Sequence, residues 1–279
     1  MLEAWVRDRL GCPDCQKPLD SPSCACGFTP SGNDYRPQRP APRTLQVSLG
    51  TSAPRDLANV SVDRPANTYD GPRAARDSSE LFSAAAQRLP KGAQLLDLGC
   101  GPRDQAAPAA HLGLHYVGID YGSDTADLKA DAHAIPFRDH SLDAVLSYAV
   151  LEHLYNPFLA AREIHRVLKP GGIFFGTVSQ GEPFHDSFFH HTAWGVLAVF
   201  DAASLHTLRL WPSYDTLHAL STMGRYPRAQ RLVIEGVHRF IRATPFLAPR
   251  RFLKWSAREK AVDELHRAAS LCFVAEKEQ

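Results

Sequence analysis

Between residues 94 and 178, short apolar runs recur without strict alternation: QLLDL (94–98), YVGID (116–120), AVLSY (144–148) and IFFGTV (173–178). Runs of this length and character predict strands buried on both faces, and the intervals between them suit crossovers rather than hairpins. Residues 158–168 carry apolar positions at helical spacing and lead into Lys169-Pro-Gly-Gly172, a stop signal. Upstream, Asp77-Ser-Ser-Glu80 reads as a capping box opening a helix, with Leu81, Phe82, Ala85 and Leu89 on one face and Pro90-Lys-Gly92 closing it. Two further strands are expected at Leu205–Leu210 and Ser270–Ala275. The pattern predicts an α/β fold with a Rossmann-like, doubly wound, mostly parallel sheet covered on both faces.

This pattern fills residues 76–279, with a mostly helical insertion at 212–268 before the last strand. Residues 1–36 form a separate cysteine-bearing unit. Residues 37–75, rich in Pro, Arg, Ser and Asn, read as a linker. At 279 residues and 44% apolar content, the chain can bury one large core plus a small appendage. Its net charge of +1 supplies no general pull towards nucleic acid. No segment approaches the roughly 20 apolar residues of a membrane span. MLEAWVRDRL has no apolar signal core, so the expected location is cytoplasmic. Six cysteines in that compartment point away from disulfides.

Gly99-Cys100-Gly101 ends the first strand, where open α/β sheets bind ligands. A dinucleotide fingerprint needs a third glycine, and Asp104 stands in its place. Asp97, just before the loop, would repel a diphosphate and attract an ammonium or sulfonium. The loop therefore favours a cationic nucleoside. Asp120, ending the second strand, can take both ribose hydroxyls. Tyr121 can cover an adenine face, and Asp131-Ala132 can receive its amino group.

LLDLGCGP, VGIDYG, DAHAIPF, DAVLSYAVLEHL and LKPGG, in this order, resemble the motifs of class I S-adenosylmethionine-dependent methyltransferases, over about residues 76–211 plus the last strand. The resemblance implies that Asp97, Gly99 and Gly101 hold the methionine portion of S-adenosylmethionine and Asp120 the ribose; Cys100, between the glycines, and Tyr121 are counted with the same cofactor site. Asp131 and Ala132 would hold the adenine, and Ser147 would lie beside the sulfonium. Two departures stand out. YGSDTADLKA leaves room for little more than a turn between Asp120 and Asp131, and Pro108 is expected to break the helix after the glycine loop.

The candidate proton acceptors are histidines. His153 follows the fourth strand, in a segment resembling the metal-binding Glu-x-x-Glu-His of quinone-biosynthesis O-methyltransferases. Glu152 and His153 match that segment, but Ala149 takes the first glutamate's place, so no catalytic metal is expected. EPFHDSFFHHTAWG (182–195) brings His185, Asp186, His190 and His191 together with Phe184, Phe188 and Phe189. It reads as a substrate loop with His185 or His190 as base, or as a lid whose phenylalanines pack while its histidines face water.

Cys12-x-x-Cys15 and Cys24-x-Cys26 suit tetrahedral structural zinc, and so short a unit has too little core to fold unaided. It resembles zinc ribbons that precede some methyltransferases, including a ribosomal-RNA guanine methyltransferase. The insertion holds 11 Lys/Arg against 5 Asp/Glu between Pro212 and Arg267. Its RLVIEGVHRFIR segment is amphipathic, which suits a cap over the acceptor, or peripheral membrane contact through 231–258. The function expected is methyl transfer from S-adenosylmethionine to oxygen or nitrogen of a small or lipid-linked metabolite. The rivals are an RNA methyltransferase, in which the zinc unit holds RNA, and a non-catalytic cofactor-binding scaffold. Residues 1–36 lack the dense basic and aromatic interleaving of an RNA surface.

Overall fold

The computed structural model describes residues 2–39, 57, 59–63, 73–182, 186–223, 226–243 and 255–278. Its strands are β1 (Gln94–Leu98), β2 (His115–Asp120), β3 (Leu128–Lys129), β4 (Leu142–Tyr148), β5 (Leu168–Ser179), β6 (Leu205–Asp215) and β7 (Ala268–Lys277). They form one sheet in the order β3-β2-β1-β4-β5-β7-β6. The first five strands run parallel, and β7 lies antiparallel between β5 and β6. Since β7 opposes both neighbours, β6 runs in the direction of β5. The carboxyl ends of β1, β2, β4, β5 and β6 therefore share one edge.

Each sheet face has its own core. Leu96, Leu98, Val145, Phe174 and Phe273 pack on one side under α4 (Pro157–Val167) and α5 (Ala193–Asp201). There the rings of Phe174, Phe200 and Phe273 lie 4.8–5.2 Å apart. Leu95, Leu146, Phe175 and Trp211 pack on the other side under α2 (Arg73–Ala86) and α3 (Ala106–His111). This partition is why the strand sequences read as unbroken apolar runs. Asn156 caps α4 by accepting the Leu159 N–H at 3.1 Å, with Pro157 in the first position where it costs no hydrogen bond.

Several expectations are corrected. Asp77–Glu80 does not open a helix, since α2 begins at Arg73 and runs through those residues. The capping box present is Ser256–Glu259, which opens α8 (Ala257–Arg267). Pro108 does not break α3: it sits in the first turn, where its missing N–H is no loss. β3 is a two-residue strand with no predicted counterpart, and β6 continues to Asp215, so the helices of the insertion start at residue 216 with α6 (Thr216–Met223) and α7 (Arg228–Ala243). Within the expected linker, Leu57, Val60 and Val62 are buried, and Ser61 exchanges backbone hydrogen bonds with Leu208 and Leu210 beside β6. The remainder of that stretch lies mostly outside the described residues.

The cysteine unit packs directly on the sheet. It starts with α1 (Ala4–Arg7). The Tyr35 N–H donates to the Lys129 carbonyl at 2.7 Å, and the Lys129 N–H donates to that of Asn33 at 2.8 Å, extending the sheet past β3. Gln16 Nε2 reaches Glu163 Oε1 on α4 at 2.8 Å, while Val6, Leu10, Phe28 and Tyr35 join the core under α4.

Where β4 and β5 meet, a Cβ on Gly176 would stand 1.9 Å from the Ser147 carbonyl oxygen. Gly176→Ala is expected to cost about 3 kcal/mol of stability, as overpacking in a fixed backbone does. Urea denaturation checks this, and an unshifted midpoint would contradict the strand spacing.

Candidate functional site

The glycine loop is shaped by the strand before it. Gly99 has φ +71°, and a Cβ there would strike Val150 Cγ2 at 2.5 Å, so only glycine fits. Gly101 has φ +49° with open space where a Cβ would point. The Gly99 and Cys100 N–H groups both donate to the Ile119 carbonyl, at 2.8 and 3.0 Å, which holds the loop against β2. Cys100 is buried against Gly118, and burial pushes its thiol up to about 12, so it packs and does not react.

Asp97 lies beneath this loop, almost fully buried. Its Oδ2 accepts the Tyr116 hydroxyl at 2.7 Å, while Oδ1 is buried with no partner among the described residues. Burial pushes its carboxyl up to about 6, against the lowering effect of the Tyr116 hydrogen bond. A buried carboxylate oxygen with no donor is costly unless a ligand supplies one. Ser147, on β4 between Leu98 and Gly176, presents a second buried oxygen, Oγ, in the same condition.

Asp120 stitches two loops together. Its Oδ2 accepts the Gly101 N–H at 3.0 Å, and its Oδ1 accepts the Gly122 and Ser123 N–H groups at 2.8 Å each. A carboxylate has about four lone-pair sites, so room is left for a ligand hydroxyl. Ser123 and Thr125 hydroxyls also close on the Gly101 carbonyl, at 2.7 and 2.8 Å. No helix stands between Asp120 and Asp131, only turns and β3. Tyr121 is exposed at the rim, with the Arg36 guanidinium 5.2 Å from its ring centre, so the cysteine unit reaches the crevice. Asp131 Oδ1 accepts its neighbour His133's N–H at 2.9 Å and lies 2.7 Å from His133 Nδ1, and Ala132 beside it is buried. The His133 ring stacks on Tyr155 at 4.2 Å. On the α2 side of the loop a cavity of about 930 Å³ opens, lined by Ser78, Phe82, Asp104, Gln105, Pro108 and Tyr148.

The structure separates the histidines singled out in the sequence. His153 is exposed, and its Nδ1 lies 2.7 Å from the Asp186 carbonyl, an acceptor, so that nitrogen carries the proton and holds the loop. His190 is exposed, while His185 and Phe184 lie outside the described residues. Phe188 and Phe189 are exposed too, so those two do not pack as a lid would require. The neighbour His191 turns inward instead. It is buried, burial keeps its imidazole below the usual range, and its Nε2 has no partner among the described residues.

What the histidine reading missed is the acid beside His153. Glu152 is fully buried, with Oε1 accepting the Ser179 N–H at 3.1 Å and Oε2 unpaired among the described residues. Burial and the facing Glu182 carboxylate push its carboxyl up to about 7. The Tyr214 hydroxyl bonds to Glu182 Oε1, the His191 N–H donates to the Ser179 carbonyl at 2.8 Å, and Ser179 Oγ is unpaired as well. Glu152, Ser179 and His191 thus present three buried, unsatisfied polar atoms at the carboxyl edge of β4 and β5. The sequence signal for Glu152 was its motif position alone.

In the amino-terminal unit, the four sulfurs of Cys12, Cys15, Cys24 and Cys26 lie within 4.8 Å of one another. Cys12 and Cys26, and likewise Cys15 and Cys24, stand 3.5 Å apart in sulfur hydrogen bonds, without a disulfide. A tetrahedral zinc with bonds of about 2.3 Å spaces its sulfurs about 3.8 Å apart, so the cluster has the right size. Burial raises the Cys12 thiol, and the backbone N–H of Cys26 lowers that of Cys24 to about 7.

Residues 96–176 match a family model described as a methyltransferase domain. An uncharacterized methyltransferase of Mycobacterium sp. strain JLS is 34% identical over 106 residues, covering 34% of this chain and 42% of the relative. Another from Mycobacterium tuberculosis strain H37Ra is 33% identical over 107 residues with the same coverage. The match therefore spans less than half the length of these curated relatives. Among solved structures, a candidate sarcosine dimethylglycine methyltransferase from Galdieria sulphuraria superposes with a TM-score of 0.50 at 16% identity, over 77% of this chain and 94% of its own, a likeness of fold. No helix among the described residues is long and apolar enough to cross a membrane.

Proposed function

We propose that the protein, whose residues 96–176 match a methyltransferase domain, transfers a methyl group from S-adenosylmethionine to oxygen or nitrogen of a small or lipid-linked metabolite. The observation that carries this reading is the orphaned Asp97 Oδ1 at the floor of the glycine loop. It asks for a cationic donor and would repel a phosphate, so it favours a sulfonium amino acid over a dinucleotide. In this reading Asp97 receives the methionine ammonium beside the space that the missing side chain of Gly101 leaves, and Asp120 takes a ribose hydroxyl with the lone pair its loop contacts leave. Tyr121, Asp131 and Ala132 border the adenine, and Ser147 Oγ lies beside the sulfur.

Bound S-adenosylmethionine supplies an activated methyl group, so the chain needs only to orient the acceptor and take a proton. Glu152 fits that second role better than His153, His185 or His190. It is buried at the shared edge and poised near neutrality, with an unpaired oxygen. Ser179 Oγ and His191 Nε2 would then hold the acceptor, and Glu182 with Tyr214 closes the far wall. In the cysteine unit, Cys12, Cys15, Cys24 and Cys26 would bind one zinc with a structural role.

Three outcomes follow. Affinity for S-adenosylhomocysteine by calorimetry falls as the pH drops below about 6, where Asp97 takes up its proton, and levels off above. Asp97→Asn abolishes this dependence and weakens binding by about 1.5–3 kcal/mol; unchanged affinity would sink the pocket assignment. Methyl turnover, followed with a labelled donor in a metabolite extract, rises with pH through about 7, and Glu152→Gln lowers it about 10²–10⁴-fold while leaving cofactor affinity intact. Because folding raises the Glu152 carboxyl from 4.5 to about 7, the stability it contributes is full below that window and is lost as pH rises through it. The same glutamine variant therefore flattens that part of the stability profile. Metal analysis finds about one zinc per chain, and Cys24→Ser loses it and sensitises residues 1–36 to proteolysis; metal-free protein with an intact unit would refute the zinc site.

A further inference from the structure

Helix α7 is mounted the wrong way round for a core-packing helix. Its sixteen residues, about 24 Å long at 1.5 Å per residue, carry Leu232, Val233, Val237, Phe240 and Ile241 on one side of the helical repeat. All five are 46–66% exposed. The side turned inward is the polar one. His238 is buried, its Nε2 stands 3.6 Å from Asp215 Oδ1, and its ring lies 6.0 Å from that of His218 on α6. Leaving five large apolar side chains in water forgoes the stabilisation that burying them would bring. An exposed apolar strip of this size marks an interaction surface.

Charge identifies what covers it. Arg228 and Arg239 border the strip, Arg231 stands on the polar side, and Glu235, paired with Arg239 at 2.6 Å, is the one acidic residue of α7. An apolar strip edged by arginines fits the boundary between acyl chains and anionic headgroups. It does not fit a second copy of itself, since face-to-face pairing would bring the arginine borders together. The helix is also well placed, because β6 runs parallel to β5 and α6 and α7 follow its carboxyl end, on the edge that carries Asp97, Ser147 and Glu152.

We propose that α7 is an interfacial helix that rests its Leu232–Ile241 face on an anionic membrane surface, with the carboxyl edge of the sheet turned towards the lipid. A lipid-borne acceptor would then enter from the bilayer. That consequence rests on the methyltransferase reading, whereas membrane binding itself does not.

The test is co-sedimentation of the full chain, without cofactor, with phosphatidylcholine vesicles that contain or lack phosphatidylglycerol. Binding should be stronger on the anionic vesicles and fall with added salt. Arg228→Gln with Arg239→Gln should weaken it on the order of tenfold. Val237→Asp with Phe240→Asp should abolish it, with the unfolding midpoint and S-adenosylhomocysteine affinity unchanged. Three results would overturn the proposal: no binding to anionic vesicles, binding indifferent to both double variants, or a dimer in sedimentation equilibrium that Val237→Asp with Phe240→Asp breaks into monomers. If vesicle binding holds while methyl turnover is absent, the membrane surface stands and the catalytic reading falls.

Discussion

The burial of a single carboxylate organises this site. Asp97 sits at the end of a strand covered on both faces, and one hydroxyl, that of Tyr116, is its only donor among the described residues. The sheet thereby holds an acid out of water at the point where the chain must turn through Gly99, because Val150 leaves no room for a side chain. Desolvation is the cost of that arrangement. It is offset by a cationic ligand and made worse by an anionic one.

The surrounding contacts keep this arrangement in place. Asp120 spends three lone pairs on the backbones of Gly101, Gly122 and Ser123, which ties the glycine loop to the loop after β2. The cysteine unit adds to the same rim, through Tyr35 and Asn33 on the β3 edge and Arg36 over Tyr121. It also shares the core of the main domain, through Val6, Leu10, Phe28 and Tyr35. On the opposite side Glu152, Ser179 and His191 gather where β4 and β5 end, each with a buried polar atom unpaired among the described residues.

The sheet was legible because burial on both faces writes itself into a sequence as uninterrupted apolar runs, and β1 matches its expected range residue for residue. Turn chemistry read at a distance from packing was less reliable. Asp77–Glu80 has the letters of a capping box yet lies inside α2, because the cap is decided by where the chain enters the helix. The letters Ser256–Glu259 do form one. Likewise Pro108 is harmless because α3 starts at Ala106, two residues before it.

The sequence by itself determined six of the seven strands and their order along the chain, the glycine loop with its acid, and the four cysteines, since each depends on residues close together in the chain. Only the tertiary structure decided which polar groups are cut off from water. His153 and Glu152 are adjacent in sequence, but the short turn after β4 sends one out to solvent and the other under Ser179. The same holds for α7, whose amphipathic letters do not say which face the protein keeps. Asp215 on β6 and His218 on α6 take the polar face through His238, and the apolar one is left outside. Desolvation is a property of everything packed around a side chain, and that is assembled from distant parts of the chain.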